Sequence, residues 1–145
     1  MSARRTMVSF AALASLAVVS PVRAQTVEET AARIPLEAYI KAHSTGDADV
    51  MATAFHPSAR MVFVTDTGLA IVPISDYIAR IRSGTKRAPD GRPRTIAMLE
   101  IKGTAAIARI DMDLGPTTLN DYMTLVKLAD GWKIVNKSFY RATAP

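Results

Sequence analysis

The spacing of apolar side chains changes period along the chain, and each change marks an element. From residue 26 the period is helical. Thr26 with Glu29 forms a capping box that opens a first helix. Leu36, Tyr39, Ile40 and His43 recur at i, i+3, i+4 and i+7, one face of that helix. Pro35 is expected to kink or restart it, and Gly46 to end it. Asp47 caps a short second helix predicted through Phe55, which His56-Pro57 stops. Alternation then takes over: Arg60–Thr65 reads as a strand, Asp66-Thr67-Gly68 as its turn and Leu69–Val72 as a short return strand. The helical period comes back over Ile74–Arg82, with Ile74, Tyr77, Ile78 and Ile81 inward. After a Gly/Pro/basic loop, Ser83–Pro93, four strands are expected at about Arg94–Lys102, Ala105–Asp113, Leu119–Leu128 and Trp132–Arg141. Lys102-Gly103 and Asp130-Gly131 mark tight turns. The order ααββαββββ, with long strands joined by short turns, predicts an α+β domain: a strongly curved antiparallel sheet with helices on one side.

Residues 1–24 have a different pattern. Arg4 and Arg5 precede an apolar run, Met7–Val19, which Ser20-Pro21 breaks; Val22-Arg23-Ala24 then places short side chains three and one before a cut. This predicts a cleaved secretory signal, a mature start at Gln25 and a single domain over 25–145. The run is shorter than the roughly 20 residues that span a bilayer, so an uncleaved anchor is the lesser reading and no stable membrane attachment is expected after cleavage. The expectation is an exported protein, periplasmic or secreted. The general secretory route fits better than twin-arginine export, since Met7 and Val8 match the twin-arginine pattern only loosely.

Charge alters little once the leader is set aside. The chain has 18 Lys+Arg and 13 Asp+Glu, a formal +5. Arg4, Arg5 and Arg23 account for three of the cations and the leader has no acid, so the remainder carries 15 − 13 = +2. Nucleic acid is therefore not expected as a partner. The absence of cysteine removes disulfides, thiolate metal sites and a cysteine nucleophile. The two histidines, His43 and His56, form no metal motif, and no metal or cofactor is expected. Arg80, Arg82, Lys86, Arg87, Arg92 and Arg94, with only Asp90 among them, read as a mobile solvated loop or as attraction for an anionic ligand or a lipid surface. Arg109, Asp111 and Asp113 share the strand face opposite Ala106, Ala108, Ile110 and Met112, and read as a solvated or dimer-facing side with salt links.

Asp121 stands out among these residues. It shares one strand face with Leu119, Met123 and Leu125, so an acid lies in an apolar file. Burial there favours the neutral carboxylic acid, a hydrogen-bond donor. Tyr39 lies on the apolar stripe of the first helix and can offer its hydroxyl nearby. His56, beside the end of the second helix, is a candidate general base at a pocket rim, or a helix-terminal residue bonded to the last carbonyls. His43 reads as a satisfied core or rim histidine.

Ala38-Tyr39-Ile40 through Gly46-Asp47, Ala54-Phe55-His56-Pro57-Ser58-Ala59, Asp121–Lys127 and Gly131–Lys137 together resemble the nuclear transport factor 2-like superfamily. They are most similar to its exported "putative lumazine-binding" and SnoaL-like branch. The resemblance implies a cone whose sheet wraps an apolar pocket, and sheet-to-sheet homodimers in which Tyr122, Trp132, Phe139 and Tyr140 build core or dimer face. In the ketosteroid isomerases of this superfamily a helix Tyr and a strand Asp stabilise an enolate oxygen; Tyr39 and Asp121 match those positions. The base of that reaction aligns with Phe63, which takes no proton, and Asp66 is expected in a turn, so the full isomerase mechanism is not expected. The leading expectation is an exported binding domain for a small, mostly apolar molecule. Tyr39 and Asp121 would donate hydrogen bonds, Phe63 and Met123 would shape the walls, and His56 would sit at the rim. The alternatives are a pocket enzyme of isomerase, cyclase or dehydratase type with Asp121 or His56 as acid/base, assisted by Tyr39, and a non-catalytic dimeric interaction module.

Overall fold

The computed structural model describes residues 26–143. The expected signal segment and the cut before Gln25 lie outside the described residues. Helix α1 (Val27–Thr45) is capped by Thr26, whose side chain accepts from the Glu29 amide at 3.1 Å. It runs unbroken through Pro35, where a kink or restart was expected. Pro35 lies on the buried side, and its ring adds apolar surface where the missing N–H loses one hydrogen bond. Gly46 ends the helix in the left-handed region, φ 67°, and its N–H donates to the Ala42 carbonyl at 2.8 Å. Asp47 accepts from the amides of Asp49 and Val50 and starts α2 (Ala48–Ala54).

Strand β1 (Phe55–Thr65) begins directly after α2, five residues earlier than alternation suggests. Its register against the neighbouring strand shifts between Phe55 and Arg60. Pro57, which lacks a donor, falls in that irregular stretch. The chain continues through β2 (Gly68–Pro73), α3 (Ile74–Arg82), β3 (Arg94–Lys102), β4 (Ala105–Asp113), β5 (Thr117–Leu128) and β6 (Gly131–Thr143). These match the expected elements within a few residues. The six strands form one curved, unclosed sheet in the order β2-β1-β6-β5-β4-β3. The sheet is mixed rather than wholly antiparallel, because β6 returns beside β1 in the same direction. Local turns predict hairpins, whereas this pairing joins the two ends of the sheet's sequence and leaves no local trace.

The helices cover one face of the sheet. Leu36, Tyr39 and Ala42 of α1 meet Ala106, Ala108, Ile110 and Met112 of β4 and Leu119, Met123 and Leu125 of β5 in a single core. Trp132 is buried, and its ring N–H donates to Glu28 at 3.4 Å, while Lys127 Nζ is 2.6 Å from the same carboxylate. The start of α1 is thereby tied to the β5–β6 turn. Tyr122 and Tyr140 instead stand exposed on the opposite face with Ile107.

A β-bulge decides what β6 presents inward. Thr124 pairs with Asn136, but Leu125 pairs with Ile134, so Val135 is the extra residue. Before it Trp132 and Ile134 point to the core; after it Lys137 and Phe139 do. The bulge thus switches the inward set from even to odd positions.

Gly46 combines a left-handed backbone with a close approach to neighbouring backbone. A Cβ there would sit 3.3 Å from both Arg87 NH1 and the Thr85 carbonyl, in addition to the strain of positive φ. Gly46→Ala is expected to cost about 1–2 kcal/mol. Gly91→Ala, at φ 68° with nothing within 4 Å, is expected to cost less. Urea unfolding of both variants checks the order.

Candidate functional site

Three buried polar side chains meet where α1 crosses β5 and β6. The Tyr39 hydroxyl donates to Asp121 Oδ2 at 2.5 Å. Lys137 Nζ donates to the Tyr39 oxygen at 2.6 Å and lies 3.0 Å from Asp121 Oδ1. Tyr39 and Asp121 are fully buried, and Lys137 is 4% exposed. Asp121 Oδ1 meets Lys137 as an ion contact at 3.0 Å, while the shortest bond of Nζ goes to Tyr39.

Tyr39 and Asp121 are therefore together as the sequence suggests, but Asp121 plays the opposite part. It was expected to donate; it accepts from Tyr39 and faces an ammonium. The sequence reading missed Lys137, since strict alternation from Trp132 and Ile134 leaves it outside. The irregular pairing at Val135 brings it in. The inward set that follows, Lys137 and Phe139, is the trace a sequence carries of such a bulge.

Surroundings act strongly on this group. Burial, opposed by the Asp121 charge, pushes the Lys137 ammonium pKa down. Burial first, then the Asp121 charge, raises Tyr39 well above the ordinary phenol range and Tyr77 to about 12, so both remain neutral phenols. Three aromatic rings stand around Nζ: Tyr39 at 4.9 Å, Phe139 at 5.0 Å and Tyr77 at 5.8 Å to the ring centroids.

On its other side Lys137 lines an open concavity of about 390 Å³. Met61, Phe63, Leu119 and Phe139 supply apolar wall, with the Phe63 and Phe139 rings 4.7 Å apart. His43, Arg80 and Arg141 add polar lining. Neither Arg80 nor Arg141 has an acidic partner within 4.0 Å among the described residues. The lining is thus apolar wall with cationic groups rather than wholly apolar. Of the residues expected to touch a ligand, Phe63 lines this space. Tyr39 and Asp121 lie behind Lys137, and Met123 is core, opposite Lys137 in the ladder. His56 is at the start of β1, where its Nδ1 accepts from the Ser58 amide at 3.2 Å and contacts the Ser58 hydroxyl at 2.7 Å; it neither lines the concavity nor joins the cluster.

His43 stands at the rim. Arg94 Nε donates to its Nδ1 at 3.4 Å, which fixes a neutral acceptor nitrogen. Burial, with Lys137 and Arg94 nearby, lowers its pKa to about 4. The Arg94 side chain is 3% exposed and grips Asp90 with two bonds of 2.6 and 2.7 Å. Arg82 and Lys86 pair with Asp49 and Asp47, and Arg87 donates to the His43 carbonyl. The basic segment is tied to the end of α1 and the start of α2 rather than loose in solvent, because α2 supplies acids that lie far from it in sequence. On the outer face Arg109 pairs with Asp111 at 3.0 Å, as the strand pattern suggests.

Asp121→Asn leaves a buried ammonium without its counter-charge and is expected to cost about 3 kcal/mol. Asp121→Asn with Lys137→Met should recover much of that loss, and urea unfolding of single and double variants measures the coupling. His43 has a folded pKa of about 4 against 6.5 unfolded, so on acidification the unfolded chain takes the proton first. Its contribution is complete above about pH 6.5 and is lost as pH falls to 4, up to about 3 kcal/mol. In unfolding experiments at pH 7 and pH 4, His43→Gln should show a smaller acid loss than the parent by that amount.

The fold is shared with known structures. An NTF2-like protein of unknown function from Shewanella baltica OS155 is 28% identical with a TM-score of 0.72, over 81% of this chain and 95% of that one. An NTF2-like protein of unknown function from Methylobacillus flagellatus KT is 27% identical, TM-score 0.69, with the same coverage of both chains. A ketosteroid isomerase-like protein from Erwinia carotovora atroseptica, at 12% identity and TM-score 0.63 over 81% of this chain and 98% of that one, shares the fold. No curated protein matches the sequence. The family model described as "Putative lumazine-binding" matches residues 27–140. With that match over most of its length, the chain belongs to this family, within the nuclear transport factor 2-like superfamily.

Proposed function

We propose that this domain binds a small molecule with an apolar body and an anionic or strongly electron-rich head, held in the concavity between α3, β1 and β6. One observation carries the reading: the buried cation of Lys137 lies at a wall whose apolar part includes Met61, Phe63, Leu119 and Phe139. An apolar body gains from leaving water against such a wall, and a negative head gains a charge-assisted partner in a poorly hydrated setting. The volume, about 390 Å³, is at the small end of ligand sites, which typically span roughly 300–1,000 Å³. The family description is consistent with small-molecule binding and does not fix the ligand. The basic, then apolar, leader supports action after export to the periplasm or outside.

A homodimer is part of the proposal. Ile107, Tyr122 and Tyr140 are 47%, 48% and 65% exposed on the sheet face away from the helices. Large side chains of this kind gain by being covered. Light scattering at micromolar concentration should give the mass of two chains, and Tyr122→Glu should shift it to one. A monomer mass for the parent contradicts this part.

Benzoate and benzyl alcohol share a ring and differ in head charge, so they test the ligand class. Calorimetry should show tighter binding of benzoate, and Lys137→Met should weaken it about tenfold or more while sparing the alcohol. Phe63→Trp, which fills the wall, should weaken both. Equal binding of the two probes, unmoved by both substitutions, rejects the site.

A further inference from the structure

We propose that Lys137 is a carbonyl-capturing residue: its amine condenses with an aldehyde or ketone seated in the concavity and holds it as a protonated imine against Asp121. This inference rests on the ligand site proposed above and adds a covalent step to it.

The placement favours the step. Lys137 is the lysine that lines the concavity, and it does so beside the paired rings of Phe63 and Phe139, which would hold the apolar body of a carbonyl compound. Its Nζ contacts two groups able to move protons, the Tyr39 hydroxyl at 2.6 Å and Asp121 Oδ1 at 3.0 Å. Oδ1 is buried and faces the ammonium directly at 3.0 Å, within reach of its proton. Burial also weakens the hold of Lys137 on that proton, the condition a lysine nucleophile needs.

The chemistry balances without a further reactant. The ammonium passes one proton to Asp121, and the nitrogen lone pair forms a bond to the carbonyl carbon. The π pair moves to the oxygen, which takes up that proton and gives a carbinolamine. A second proton moves from nitrogen to the hydroxyl, again through Asp121. The carbon–oxygen bond breaks and water leaves. An ammonium and a carbonyl compound have become an iminium and water, the single positive charge is kept, and Asp121 ends as the carboxylate opposite it. Tyr39, held neutral by burial, keeps the carboxylate oriented throughout. Lys41, Lys86, Lys102, Lys127 and Lys133 stand on the surface or at its edge and have no such pairing with both a buried acid and a buried phenol.

The test uses the purified protein with benzaldehyde and sodium cyanoborohydride, read by intact mass and peptide mapping. The expected result is one benzyl group on Lys137 before the other lysines react, suppressed by excess benzoate and lost in Lys137→Arg. Asp121→Asn should slow labelling while circular dichroism shows the fold retained. If Lys137→Arg does not fold, suppression by benzoate in the parent protein still locates the label. Labelling spread over the surface lysines with Lys137 unmodified overturns the proposal. In that case calorimetry with benzoate separates the two failures: retained binding keeps the site and removes only the imine, and no binding removes the site as well.

Discussion

A lysine ammonium placed among apolar side chains is the constraint on which the rest of this domain depends. Water cannot reach it freely, so its charge must be met by the protein. Asp121 supplies the counter-charge and Tyr39 supplies both a donor for Asp121 and an acceptor for Lys137. These three residues come from α1, β5 and β6. Their closure fixes how the first helix lies across the middle strands of the sheet, and it requires all three elements to be correct at once. Such an arrangement contributes little net stability against apolar packing of the same volume. Its value is in placing one cation at the wall of a cavity.

The fold supports that cation from two directions. From below, the bulge at Val135 turns β6 so that Lys137 and Phe139 join the inner face while Trp132 and Ile134 remain in the core. From the side, the parallel pairing of β6 with β1 sets Met61 beside Lys137 in the ladder and carries Phe63 to Phe139. The segment after α3 then closes over the end of α1 through Arg87 and Arg94, which reach the carbonyl and ring of His43. Excess positive charge near the cavity comes from Arg80 and Arg141 on the lining, while His43 is kept neutral and Lys137 is matched by Asp121. An anion entering this space meets a field already set.

Much of this was legible in the sequence, and the exceptions share a cause. Capping by Thr26 and Asp47, the stop at Gly46 and the hairpin turns are local, and they appear where the residues say. The apolar file that held Asp121 was also legible, because β5 alternates without interruption on that side. What was hidden depends on contacts between distant segments. The parallel β1–β6 pair, the bulge at Val135 and the acids of α2 that meet the basic loop all arise from tertiary pairing, which periodicity along one strand does not record. The role of Asp121 inverted for that reason: an acid in an apolar file reads as neutral until the lysine from the next strand is known to face it. His56 is a titratable group at a helix end, yet its bonds stay within two residues of it and it takes no part in the cavity.

NMR titration of the lysine side chains, with ¹⁵N-labelled lysine and Lys137→Arg for assignment, measures the state of this buried cation directly. One Nζ signal is expected to titrate below the others, to disappear in Lys137→Arg and to shift on addition of benzoate. If all lysine signals titrate together at the ordinary value and none moves with benzoate, Lys137 is a solvated surface group and the site described here does not exist.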